Sequence, residues 1–217
     1  MENNMTKMPD AYRTILRDGE GEIVEKKSRF LAKIHAVDTE EEALAYIEQI
    51  KKQYWDARHN CYAYIIGRNS ECVRCSDDGE PSGTAGRPML EVLQNEELKN
   101  VVVVVTRYFG GVLLGTGGLV RAYTQAVLEG LRNACAGTMQ LVDILQIDTD
   151  YPAIGKIKYT LGENNIAIQN EEYTQIVRLQ AAVPVALRER IMKELTETTN
   201  GKVKMEVKEQ LYLGKMD

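Results

Sequence analysis

The stretch Asn100-Val101-Val102-Val103-Val104-Val105-Thr106-Arg107-Tyr108-Phe109-Gly110-Gly111-Val112-Leu113-Leu114-Gly115-Thr116-Gly117-Gly118-Leu119-Val120-Arg121-Ala122-Tyr123 decides the fold. Five consecutive valines leave no polar side, so residues 100–106 read as a strand covered on both faces. The glycines after them end the strand. Val120, Tyr123, Val127 and Leu131 then recur on one face of a helix over about 117–134, with Thr116 as its expected N-cap. A doubly buried strand feeding a helix calls for a layered domain of sheet and helices.

Upstream, Thr39-Glu40-Glu41-Glu42 is a capping-box pattern, and Ala43, Ile47, Ile50 and Tyr54 follow at helical spacing, predicting a helix over about 40–54. Residues 29–37, 60–67 and 72–75 read as strands, the last two joined by the turn Gly67-Arg68-Asn69-Ser70. Downstream the pattern restarts after Gly137. Alternating Leu141, Asp143, Leu145 and Ile147 give a strand, and Pro152 opens a short helix that Gly162 closes. Strands over 166–169 and 176–183, a helix over 184–198 and a last strand through Val203, Met205 and Val207 follow. That order, β-α-β-β-α-β, predicts a ferredoxin-like domain. The expected class is therefore α+β, in two domains, 1–136 and 137–217.

Composition sets the outer bounds on function. The chain has 217 residues, 44% hydrophobic and 27% charged, enough to bury a core, and its net charge of −5 argues against wrapping nucleic acid or an anionic membrane by bulk attraction. Val101–Val105 is far shorter than a membrane span, and residues 1–9 carry no basic start and apolar run, so a cytoplasmic protein without a membrane partner is expected. Four unevenly placed cysteines, Cys61, Cys72, Cys75 and Cys135, read as free thiols.

Two segments have the composition of binding loops. Asp77-Asp78-Gly79-Glu80-Pro81-Ser82-Gly83-Thr84-Ala85-Gly86-Arg87-Pro88 places glycines and hydroxyls ahead of a helix start, a combination suited to an anion, and equally to a long surface turn. The segment from Thr106 to Gly118 has the outer glycine spacing of a P-loop, but Thr116-Gly117 stands where Lys-Ser/Thr is required, so no nucleotide triphosphatase is indicated. The dinucleotide fingerprint fails as well, with Val120 at its third glycine position. Cys72-Val73-Arg74-Cys75 lacks a second pair, leaving His35 and His59 as the remaining nitrogen ligands, and no metal or other cofactor is expected. Strand geometry is expected to turn Cys61 and His59 to opposite faces, so no nucleophile–base pair is identified and catalysis stays undecided.

The two loops and the valine strand together resemble the signature of the YigZ/IMPACT family, over about residues 20–130, and the second half resembles the extra domain of its bacterial two-domain members. The resemblance implies a first domain like domain IV of elongation factor G, a fold shared with a ribosomal-protein domain, and a second like domain V of that factor. It implies no catalytic residues. The matching positions Asp78, Glu80, Ser82, Gly83, Thr84, Arg107, Tyr108, Gly110, Gly111, Gly115, Gly117 and Gly118 are carried over as a binding surface for an anion or nucleic acid, to which the residue reading adds Arg87 and Arg121. Eukaryotic relatives regulate translation by binding an activator of a stress kinase, a partner not carried over to this two-domain type. Three readings compete: a translation-associated protein contacting RNA or the ribosome through the glycine-loop face, an enzyme for a phosphorylated small molecule in the same cleft, and a protein-binding regulator. The expectation for geometry is that Ser82, Gly83, Thr84, Arg107, Gly110, Gly111 and Gly117 converge on one concave face, with Arg107 and Arg121 gripping an anion there.

Overall fold

The computed structural model describes residues 9–216. Residues 1–8, most of the stretch read above for a leader, lie outside them. The chain forms two compact units, one running to Thr138 and including the chain from Gly214 onward, the other Met139–Leu213. Both mix helices with antiparallel sheet, the α+β class expected from the sequence. No helix among the described residues is long and apolar enough to cross a membrane.

The first unit contains β1 (Ala11–Arg17), β2 (Gly19–Glu25), β3 (Ser28–Ala36), α1 (Glu40–Gln53), β4 (His59–Ile66), β5 (Cys72–Ser76), α2 (Gly86–Asn95), β6 (Val101–Tyr108) and α3 (Thr116–Asn133). Its sheet has the order β2-β3-β6-β4-β5, so the valine strand is central. Alternate valines serve opposite cores. Val102 and Val104 meet Ala43, Ile47 and Ile50 of α1, whereas Val101, Val103 and Val105 meet Met89 and Leu93 of α2 and Tyr123 and Val127 of α3. The N-cap forms, with Thr39 Oγ1 accepting from the Glu42 N–H at 3.2 Å, but the return bond of the capping box is displaced by one residue: the Glu42 carboxylate accepts from the Asp38 N–H at 2.7 Å. α3 departs from expectation at its start. Thr116 is already helical, and the N-cap is Gly115 at φ +72°, with no side chain capping it.

The sequence reading found no strands before residue 29, yet β1 and β2 are there. Gly19 and Gly21 on β2 lie so close to Gly130 of α3 and to Ala134, the residue that caps its end, that any Cβ on either would collide with backbone there. Close approach, rather than β-propensity, therefore fixes the glycines of this strand.

The second unit contains β7 (Cys135–Thr149, from Met139 onward), α4 (Ile154–Glu163), β8 (Ala167–Tyr173), β9 (Val177–Pro184), α5 (Arg188–Thr198) and β10 (Lys204–Met216, as far as Leu213). Within this unit β10 pairs β7, β7 pairs β9 and β9 pairs β8, the ferredoxin-like arrangement 4-1-3-2, and the apolar faces of α4 and α5 bury Ile157, Leu161, Ile191 and Leu195 against Leu145, Ile147, Leu179 and Val183. Two details differ from expectation. Asn165 at φ 54°, not Gly162, supplies the left-handed residue after α4, and Val185–Leu187 form a 3-10 turn ahead of α5.

Candidate functional site

The first glycine-rich loop closes on a group of its own. The Asp77 carboxylate accepts hydrogen bonds from the N–H groups of Gly83 at 2.8 Å and of Ala85 and Gly86 at 2.9 Å, so it occupies the anion position at the start of α2. Partial burial opposes its ionisation, but the three amides together hold its carboxyl below the usual aspartate range. Asp78 also turns inward. Its carboxylate accepts from the Asn60 N–H at 2.7 Å and lies 3.6 Å from Lys51 Nζ. Thr84 is buried, its hydroxyl donating to the Pro81 carbonyl at 2.6 Å, and Ser82 is exposed.

Glu80 and Arg107 form the charged centre. Arg107 Nη1 lies 2.6 Å from Glu80 Oε1, with the two side chains only 7% and 3% exposed. The Tyr123 hydroxyl donates to the same carboxylate oxygen at 2.9 Å. The guanidinium is flanked by the rings of Phe30 and Phe109, at 5.4 and 5.6 Å, and its Nε is buried without a hydrogen-bond partner. Cys61 Sγ lies 3.0 Å from the Asp77 carbonyl and 3.3 Å from the Tyr123 hydroxyl. Burial pushes both the Cys61 thiol and the Tyr123 phenol well up, so each keeps its proton at neutral pH.

A cavity of about 410 Å³ opens beside this pair, lined by Arg58, His59, Glu80, Pro81, Arg107, Phe109, Leu113, Leu114, Gly115, Thr116 and Leu119. Both loops thus reach one hollow. Of the seven residues expected to converge, Arg107 lines it and Ser82, Gly83, Thr84, Gly110, Gly111 and Gly117 do not; Glu80 and Gly115 of the wider binding surface do. Gly110 instead packs on the backbone of Lys27 and Ser28 and donates to Ser28 Oγ at 3.1 Å. Gly111 has φ +83° with open space around it. A Cβ on Gly117 would meet nothing nearer than Arg121 Nη1 at 3.7 Å, and one on Gly118 would touch Leu114.

The other arginines stand apart. Arg121 lines a separate hollow with Ile23, Glu25, Gly118, Ala122 and Gln125, so the pincer of Arg107 and Arg121 does not form. The physical reason is that Arg107 is spent on Glu80 while Arg121 faces out from α3 toward β2. Arg87 is exposed and pairs with Glu91 one turn along α2, and the Tyr108 hydroxyl donates to Asp56 at 2.8 Å. Cys61 and His59, two positions apart on β4, share a face rather than opposing ones; His59 lines the cavity and Cys61 lies in the core beneath it. Cys72 and Cys75, three apart on β5, turn away from each other, and among the described residues no three His, Cys, Asp or Glu side chains are grouped to hold a metal.

The sequence reading missed the apolar lining. Phe109 and Leu113, 48% and 82% exposed, line the pocket, and Val112 of the same loop is 43% exposed. Their signal was in the sequence: four apolar residues among the glycines of the second loop, with no helical or strand period to bury them.

Residues 26–131 match the model of the Impact N-terminal domain, and residues 147–202 match a domain of unknown function, DUF1949. The IMPACT family member YvyE of Bacillus subtilis is 44% identical over 208 residues, covering 96% of each chain. The IMPACT family member YigZ of Escherichia coli is 36% identical over 182 residues, covering 83% of this chain and 89% of its own. Protein IMPACT of Danio rerio is 36% identical over 106 residues, 46% of this chain and 32% of that one. A crystal structure titled as that of a hypothetical protein superposes with a TM-score of 0.60 at 32% identity, covering 93% of this chain and 98% of that one.

Proposed function

We propose, from the premise that this chain belongs to the IMPACT family, that it is a regulatory binding protein of translation that docks a partner protein on its glycine-loop face. The translation setting is what the family resemblance implies. The docking face rests on one observation: exposed Phe109 and Leu113, with exposed Val112 between them in the same loop, line a cavity whose central charges, Arg107 and Glu80, already neutralise each other. Such a surface gains free energy by covering apolar area, about 25 cal/mol per Å², and exposed apolar patches with polar rims are a mark of interaction sites.

Two features weigh against catalysis on a phosphorylated small molecule. The amides that would cradle a phosphate in the first loop are filled by Asp77, and the Cys61 thiol and Tyr123 phenol are held protonated. The RNA reading keeps one supporting observation. The exposed Phe109 ring stands at the same cavity as the exposed Arg58, a pairing able to stack an unpaired base and meet its phosphate.

Co-sedimentation of the full chain with ribosomes at low and high salt tests the proposal. Binding that persists at high salt and is abolished by Leu113→Asp supports protein docking. A steep salt slope with Leu113→Asp still bound favours RNA, and no co-sedimentation under either condition removes the translation setting.

A further inference from the structure

The two loops end at two helix starts in opposite states. At α2 the carboxylate of Asp77 fills the position, whereas the 18-residue α3 begins with Gly115 as N-cap, no side-chain cap and no acidic residue in its first turn. The first helical hydrogen bond is made by the Leu119 N–H to the Gly115 carbonyl, so the N–H groups of Thr116, Gly117 and Gly118 precede it. Gly115 and Thr116 stand in the wall of the 410 Å³ cavity.

A second, independent feature lies in the same wall. Arg107 is only 6% exposed and its Nε has no partner, although the chain has already supplied that guanidinium with Glu80 and with Ser28 Oγ at 3.5 Å. A third is Arg58, an exposed guanidinium at the cavity that takes part in none of the ion pairs or hydrogen bonds found among the described residues. Everything else in the lining apart from His59 and Glu80 is apolar or small.

We infer that this cavity is a receptor for the chain-terminal carboxylate of a polypeptide whose last side chain is apolar. This rests on the protein-docking reading above and names what the pocket takes. The charge count selects the ligand. Arg107 and Glu80 cancel, leaving the Arg58 guanidinium and the partial positive charge of the α3 start, which is about half an elementary charge. One singly charged carboxylate stays within that surplus of about one and a half elementary charges, which a dianion exceeds. A dianionic phosphate would bring uncompensated charge against Pro81, Phe109, Leu113, Leu114 and Leu119, at a steep desolvation cost. Those side chains in turn provide the apolar socket that the terminal residue enters, in a hollow near the lower end of the size range of ligand sites. Capture of a terminal carboxylate by backbone N–H groups is an established way of reading a peptide end.

The test uses the full chain and fluorescence anisotropy with a fluorescein-labelled glycine-serine peptide ending in phenylalanine, as the free acid and as the C-terminal amide. The free acid is expected to bind at least about tenfold tighter than the amide, and Arg58→Gln to remove about the same factor. Arg58 is exposed, so the variant should fold, and its circular dichroism checks that. Equal binding of acid and amide overturns carboxylate recognition. Displacement of the peptide by 3-phenylpropanoate at equal concentration overturns the polypeptide as source and assigns the site to a small apolar acid. If the free acid does not bind at all the inference fails, while the docking reading stands or falls separately on ribosome co-sedimentation of Leu113→Asp.

Discussion

In an Arg107→Ala variant the Glu80 carboxylate, 3% exposed as a side chain, keeps the hydrogen bond from Tyr123 but loses the guanidinium that neutralises it. Removing one partner of a buried pair costs about 3–5 kcal/mol, mostly because the remaining charge is left desolvated. The contacts of the guanidinium with Phe30 and Phe109 are lost too, which pushes the cost toward the upper end of that range. Against a total stability on the order of 5–15 kcal/mol, that loss is from about a fifth to all of it, and the urea midpoint should fall accordingly. Urea unfolding followed by circular dichroism measures the loss, with an unchanged m-value confirming the same transition. Adding Glu80→Gln removes the stranded charge, and the double variant should recover more than about 1 kcal/mol. A loss below about 1 kcal/mol in the single variant, or a double variant no more stable than it, would refute the buried-pair account and return Arg107 to the role of an anion clamp.

Three other outcomes are expected. Asp77 has a folded pKa below its unfolded value of about 3.9, so its contribution is fully present above that value and is lost as pH falls through the folded one; Asp77→Asn should lower the melting temperature at neutral pH and flatten its acid limb, and parallel limbs would count against the three-amide cradle. Gly110→Ala places a Cβ on the backbone of Lys27 and Ser28 and should cost more than about 2 kcal/mol, whereas Gly117→Ala, whose Cβ meets nothing nearer than 3.7 Å, should cost nothing measurable in the same urea titration. Leu113→Asp should leave unfolding unchanged within about 0.5 kcal/mol, since the side chain is 82% exposed, and a larger loss would make Leu113 a packing residue.

What was legible in the sequence was what repeats locally. The valine run and the N-cap at Thr39 announce themselves within a dozen residues, the β-α-β-β-α-β order of the second half follows from the local period of each element in turn, and the structure forms all three. What was not legible depends on partners far along the chain. Gly19 and Gly21 look like turn glycines until Gly130 and Ala134 are brought against them. The first loop has the composition of an anion cradle because it is one, but the anion is Asp77, six residues before Gly83, and composition alone does not distinguish an internal carboxylate from a bound one. Likewise nothing in the sequence decides whether Asp78 or Glu80 meets Arg107; the turn at Asp78, with φ 41°, aims its carboxylate at β4 and leaves Glu80 to face β6.

The alternation of valines along β6 also bears on how the first unit comes apart. One strand carries side chains of two apolar layers, with Val102 and Val104 in one and Val101, Val103 and Val105 in the other, so neither layer can open without withdrawing its share of the same backbone. The α1 layer and the layer beneath the glycine loops should therefore unfold as a single foldon, and the β6 amides should exchange with deuterium only through global opening. A cavity cut on the α1 side, far from the pocket, would then raise exchange in the pocket wall by the same free energy as on its own side.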